Sequence, residues 1–322
     1  MNVPSKALWY IALAYGFSWA VSGAGIAMGV TTASGLAYML VAGITMLGPA
    51  IAALVLQRFR DRAPLTELGL GFTGTKWSVV GLTVLLGVLI MPGLLLVLEV
   101  LGDGAGFAGF GEVNMSRDAL MNTLRELAGD VVPTESLERQ LALLERFPPL
   151  LILGMILGAS VLAACSFNLP FMLGEELGWR GYLWLHLKQW SGLRRVLFTG
   201  VVWGLWHAPL IAVGHNYPGH PVSGIGMMVL LCVAMALLFD WTRTRSGSIW
   251  SSAVLHGIIN GSAGASLLFA KGGHPLVGSV AGLAGIITLL ILGAAVLAMD
   301  GRYRHAFLHA HAPDHAASTV IS

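Results

Sequence analysis

Residues 149–187 read PLLILGMILGASVLAACSFNLPFMLGEELGWRGYLWLHL, and the fold turns on this stretch. It carries no charge before Glu175. A hydrocarbon core about 30 Å thick needs about 20 apolar residues of helix, so the run is long enough to span it. The same apolar run then holds Glu175, Glu176 and Arg180. Ionised side chains within a membrane span are costly, face the bundle interior, and mark a site or a pathway.

The rest of the chain agrees with a membrane protein. Of 322 residues 56% are hydrophobic and 11% charged, against about 25% charged in an ordinary soluble domain. Mean hydropathy is +0.78. This composition excludes a soluble globular enzyme, a disordered chain and a nucleic-acid binder. The formal net charge of +2 announces no electrostatic partner. Cys165 and Cys232 both lie in apolar runs, which excludes a disulfide framework. The 42 glycines suit close helix contacts in a bilayer. The fold class expected is all-α, a polytopic transmembrane helix bundle.

Apolar runs of spanning length fall near 8–29, 35–57, 78–101, 149–187, 196–213, 223–242, 248–270 and 276–299, which makes eight spans. The first exceeds the core of a signal peptide and is read as an anchor that stays. Pro170 within SFNLP (166–170) either kinks one helix or separates two; one kinked helix keeps the charge alternation. With the N-terminus inside, thirteen Lys and Arg fall on or toward the cytoplasmic side and five outside. The chain is thus expected in the cell membrane, multi-pass, with both termini cytoplasmic.

Four regions follow: a three-span part (1–101), an acidic extracytoplasmic loop (102–148), a catalytic transmembrane part (149–299) and a histidine-containing tail (300–322). The loop has eight acidic residues against four arginines, net −4. Ser116 and Thr134 are expected to cap two short amphipathic helices, the second bearing Leu137, Leu141 and Leu144. A solvated or interfacial loop is expected there rather than a substrate lid. The tail, with His305, His309, His311 and His315, is expected to be a disordered polar end.

Ionisable residues deep in the spans are few: Glu175, Glu176, Arg180, His207 and His256. Glu176 and Arg180 are i and i+4 on one helix face and can pair. Glu175 has Trp179 at i+4, so its carboxylate is left free. His256 and Asn260 likewise share a face. Counted from the cytoplasmic ends, His207 lies roughly 16 Å deep, His256 roughly 12 Å and Glu175 roughly 18 Å. These four residues can therefore meet in one polar cavity, expected to open toward the cytoplasm. A second buried carboxylate beside a paired one is a poor packing choice and a good preparation for a general base.

At these positions the chain resembles the CPBP family (CAAX proteases and bacteriocin-processing enzymes, also called Abi), intramembrane endopeptidases related to the type II CAAX prenyl protease. Its motifs Glu-Glu-x-x-x-Arg, Phe-x-x-x-His and His-x-x-x-Asn fall at Glu175, Glu176 and Arg180, at Trp203 and His207, and at His256 and Asn260. The resemblance covers roughly 148–270. Trp203 replaces the usual phenylalanine, a departure expected to affect packing more than chemistry. The resemblance implies peptide-bond hydrolysis, with Glu175 as general base assisted by His207. It further implies that His256 and Asn260 stabilise the oxyanion, and that Glu176 and Arg180 hold the helix. A metal such as zinc, held by His207, His256 and Glu175, and a metal-free mechanism both fit the letters, with a slight preference for none.

Other chemistries lack their residues. The sequence has no His-Glu-x-x-His, no Gly-x-Ser-Gly and no Gly-x-Ser-x-Gly. An aspartyl protease would need two membrane aspartates, and Asp240 sits alone at a helix end. Gly69 to Gly74 matches G-x-G-x-x-G in a membrane loop with no strand before it, so no nucleotide partner is expected. The partners expected are the lipid bilayer and a membrane-associated peptide or protein substrate, with no nucleic acid. A non-catalytic membrane scaffold or immunity protein and a proton-coupled transporter are the alternatives.

Overall fold

The computed structural model describes residues 2–128 and 132–310, so Asp130, His311 and His315 lie outside the described residues. In chain order the helices are α1 (Ser5–Ala27), α2 (Leu36–Arg60), α3 (Trp77–Gly104), α4 (Arg117–Ala128) and α5 (Thr134–Leu144). There follow α6 (Pro149–Ala164), α7 (169–187), α8 (Gly192–Trp206) and α9 (Ala208–Ala212). The series ends with α10 (Pro221–Ser246), α11 (Ile249–Phe269), α12 (Leu283–Met299) and α13 (Gly301–Leu308). Beyond helix the described residues hold a two-residue antiparallel ladder, Glu112 opposite Lys271 and Val113 opposite Ala270.

The chain is an all-α polytopic bundle. Five helices, α1, α2, α3, α10 and α11, are long and apolar enough to cross a membrane, and seven if two pairs bent by 108° each count as one span. The eight expected spans all fall largely on helix, but two are broken and one is shorter than expected. The fifth is a 15-residue helix followed by a short one, because Pro209 lacks the N–H that α8 would need to continue. The eighth begins only at Leu283.

The fourth, 149–187, is broken rather than kinked. Gly261 and Gly257 of α11 face Ser160 and Ala164 of α6, while Asn260 and His256 contact Met172 and Glu176 of α7. Both pieces therefore run antiparallel to α11 and in the same sense, side by side at the overlap. The turn at 165–168 steps the chain sideways, so the segment keeps one direction, as the charge alternation requires. A Cβ on Gly257 would lie 2.7 Å from Ala164 Cβ, which makes this close approach possible only for glycine.

The ends of the bundle differ in chemistry. At one end the start of α1, the ends of α2, α7, α10 and α12, and the start of α8 bring Lys6, Asp61, His186, Arg195, Asp240, Arg245 and Asp300 together. We refer to this as the basic end. Here α10 stops at Gly247 (φ +76) with Arg243 and Arg245 in its last turn, where cations suit the helix dipole.

At the opposite end the acidic segment folds over the bundle. Leu120, Met121, Leu137 and Leu141 pack with Leu94, Leu98 and Phe269 in one buried cluster, so this segment is docked, not merely solvated. Ser116 caps α4, its Oγ accepting from Ala119 N at 3.3 Å. Thr134 is already the first residue of α5 and makes no cap bond, unlike the expectation. The tail is likewise ordered in its first part: α13 buries Tyr303 and Phe307, which corrects the expectation of disorder as far as residue 310.

Candidate active site

Glu175 and Glu176 close the regular part of α7, and a π-helical turn over Leu177–Leu183 follows. Such turns occur often at functional sites. The turn keeps the expected pair, with Arg180 Nη1 donating to Glu176 Oε1 at 3.1 Å. The same oxygen accepts from His256 Nδ1 at 2.9 Å. His256 is therefore tied to the structural pair, a link the sequence reading did not contain. The Arg180 guanidinium stacks on Trp203 and Phe239, 4.3 Å from each ring centre. Buried charge is thus paired, hydrogen-bonded and sandwiched between aromatic faces.

Glu175 is also buried, but its bonding is sparse. Trp203 Nε1 donates to Glu175 Oε2 at 2.9 Å, and among the described residues no other hydrogen bond reaches this carboxylate. The expectation of a wholly unpartnered carboxylate is corrected to one with one oxygen held and the other left over. The tryptophan that departs from the usual phenylalanine supplies that bond. Its effect is therefore chemical and not only a matter of packing, since phenylalanine has no donor.

His207 caps α8, where Nδ1 donates to the Trp203 carbonyl at 2.9 Å. Its Nε2 is then an acceptor in the neutral ring. Among the described residues Asn260 Nδ2 reaches only the weak acceptor Met172 Sδ, at 3.4 Å. Glu175, His207, His256 and Asn260 line one cavity of about 190 Å³. Gly204, next to Trp203 and three residues before His207, makes this possible, because a Cβ there would lie 2.5 Å from Val229 Cα of α10.

The cavity does not extend toward the basic end, as had been expected. It runs the other way, to His215 and Asn216 in the turn after α9 and to Val280 and Ala281 before α12. From α10 it takes residues between Met228 and Met235, far from Arg243. A depth count along the helices carries no information on which way the space between them opens. His215, Asn216 and Tyr38, whose Oη is 2.7 Å from His215 Nδ1, were missed. The only signal for them was a Gly-His-Asn turn just past His207, which tells nothing of which way the turn faces.

As to a metal, no three His, Cys, Asp or Glu side chains converge closely enough to hold an ion among the described residues. The set His207, His256 and Glu175 shares a cavity without forming such a cluster. Glu176 and Arg180 stand behind the cavity wall, Trp203 forms part of it, and the three hold its polar groups in place.

Residues 149–262 match the family described as type II CAAX prenyl endopeptidase Rce1-like. A curated relative, CAAX prenyl protease 2 of Methanococcus maripaludis, is 46% identical over 92 residues, which is 27% of this chain and 34% of that protein. The chain thus spans about a third of the length of the curated relative it matches. Glu175, His207, His256 and Asn260 all lie within 149–262, and over this stretch the chain is similar to the Rce1-like type II CAAX prenyl endopeptidases that its three motifs resemble.

Proposed function

We propose that the chain is an intramembrane endopeptidase that hydrolyses a peptide bond of a membrane-associated protein or peptide. One observation carries this: Glu175, with a single protein hydrogen bond, opens onto the same cavity as His207, His256 and Asn260, all inside the matched segment. A water in that cavity donates one hydrogen to the free Glu175 oxygen and the other to His207 Nε2, which leaves a lone pair for the substrate carbonyl. Glu175 takes the proton as the C–O bond forms, and passes it to the leaving amine as the C–N bond breaks. The carbonyl oxygen gains charge meanwhile. Asn260 Nδ2 donates to it, as does Nε2 of a doubly protonated His256 ring whose Nδ1 is held by Glu176.

The basic end faces the cytoplasm in this proposal, so both termini of the bundle are cytoplasmic and the protein sits in the cell membrane. The test compares N- and C-termini of the membrane proteome between cells making the wild-type chain and cells making Glu175→Gln at equal level. Termini that appear only with wild type are expected, and they identify substrates directly. Identical termini from two folded proteins would turn the assignment toward a scaffold or a transporter.

A further inference from the structure

The turn after α9 is built more tightly than a connection requires. Gly214 has φ +102 and Asn216 φ +58, a left-handed conformation that a non-glycine residue holds only when its surroundings impose it. Three ties impose it: Thr32 Oγ1 donates to the Val213 carbonyl at 3.3 Å, Tyr38 Oη meets His215 Nδ1 at 2.7 Å, and buried Tyr217 donates to the Ala281 carbonyl at 2.8 Å. The result is that His215 and Asn216 line the cavity across from the carboxylate, although neither belongs to the three motifs. The walls between the two polar stations are apolar, with Met228, Leu231 and Met235.

From this geometry we infer that Tyr38, His215 and Asn216 form a substrate-positioning station that hydrogen-bonds the peptide main chain beside the scissile bond. The inference rests on the peptidase assignment above. A peptide unit offers one donor and one acceptor; the Asn216 amide offers the same pair in return, and His215, its Nδ1 taken by Tyr38, adds the remaining ring nitrogen Nε2. No charged side chain lines this part of the cavity, so it reads main chain rather than a charged substrate group. Because the Tyr38 bond fixes the His215 ring and the turn fixes the Asn216 backbone beforehand, less ordering cost attends binding. Such contacts hold ground state and transition state alike and act on KM rather than kcat.

The test uses the full-length chain in vesicles of phosphatidylethanolamine and phosphatidylglycerol. The probe is a quenched-fluorescent peptide spanning a cleavage site recovered from the terminus comparison. Asn216→Gly keeps the left-handed turn and removes only the amide. Tyr38→Phe releases His215 without emptying the position. Each is expected to raise KM about three- to tenfold, with kcat within about twofold. Tyr38→Phe combined with His215→Ala should cost no more than His215→Ala alone, since the tyrosine acts through the histidine. Unchanged KM in both single variants overturns the inference, as does a fall in kcat at constant KM. If wild type and Glu175→Gln give the same termini, it is the peptidase assignment that fails instead.

Discussion

The basic end and the cavity bury the same residue types and treat them in opposite ways. At the basic end buried Asp240 and partly buried Asp300 and Asp61 each meet several donors. Asp240 accepts from Arg195, Trp184 and Tyr303, and Asp300 from Arg245, Trp241 and the Tyr303 N–H. Asp61 meets Lys6 at 2.9 Å, Tyr182 at 2.9 Å and His186 at 3.3 Å. In the cavity Glu175 has one bond, and His207 and His256 each have one ring nitrogen engaged. A saturated buried charge fixes helices to one another and has no capacity left. An unsaturated one weakens the fold and keeps a lone pair for something that enters. Within α7 the contrast is compressed to two neighbours: Glu176 has a guanidinium and an imidazole on one oxygen, and Glu175 has only an indole N–H.

The sharpest way to break this contrast is to treat both neighbours alike. Glu175→Gln should lower kcat/KM by about 10³-fold or more with little change in thermal midpoint. Glu176→Gln should instead lower the midpoint, because it weakens the pairing of Arg180 in a buried site. Equal phenotypes would dissolve the distinction. Asp240→Ala should cost about 3–5 kcal/mol of stability in denaturant unfolding, since buried Arg195 loses its partner. A loss below about 1 kcal/mol would show that the basic end is not held by its ion pairs.

Next in size are the proposed oxyanion donors. Asn260→Ala and His256→Ala should lower kcat about 10²-fold with smaller changes in KM; a pure KM effect would move them to substrate binding. Trp203→Phe restores the usual residue of the resembled motif and removes the one bond to Glu175. A fall of about tenfold in kcat/KM is expected, and full activity would make that bond incidental.

The smallest effect is on acid stability. Burial works to raise the Asp61 carboxyl, but bonds from Lys6 and Tyr182 outweigh it and hold the group below its ordinary value. A lowered folded-state value contributes stability above the unfolded value of about 3.9, and loses it as pH falls through the folded one. Wild type should therefore lose thermal midpoint more steeply than Asp61→Asn as pH drops below about 4. Parallel curves would remove Asp61 from the ledger of acid stability.

Much of this was legible in the sequence because the determining physics is local. A span needs a run of apolar residues, a property of neighbours along the chain, and the helices fall where the runs do. The Glu176–Arg180 pair is one helical turn long and was read directly. What was not legible joins distant residues. Trp203 meets Glu175 across 28 positions and His256 meets Glu176 across 80, and no periodicity encodes either. The same holds for the sideways step at 165–168 and for the folding of the acidic segment onto Leu94 and Leu98.

By itself the sequence determined that the chain is a membrane helix bundle and which few polar residues lie deep inside it. Transfer of apolar and charged groups out of water depends on the residue and its neighbours, and needs no fold to be evaluated. Only the tertiary structure decided which carboxylate shares an oxygen between Arg180 and His256, which indole holds the other, and toward which end the cavity runs. Those outcomes depend on helix offsets of a few ångströms, set by close contacts such as Gly204 on Val229 and Gly257 on Ala164. A hydrogen bond forms or fails over less than that distance.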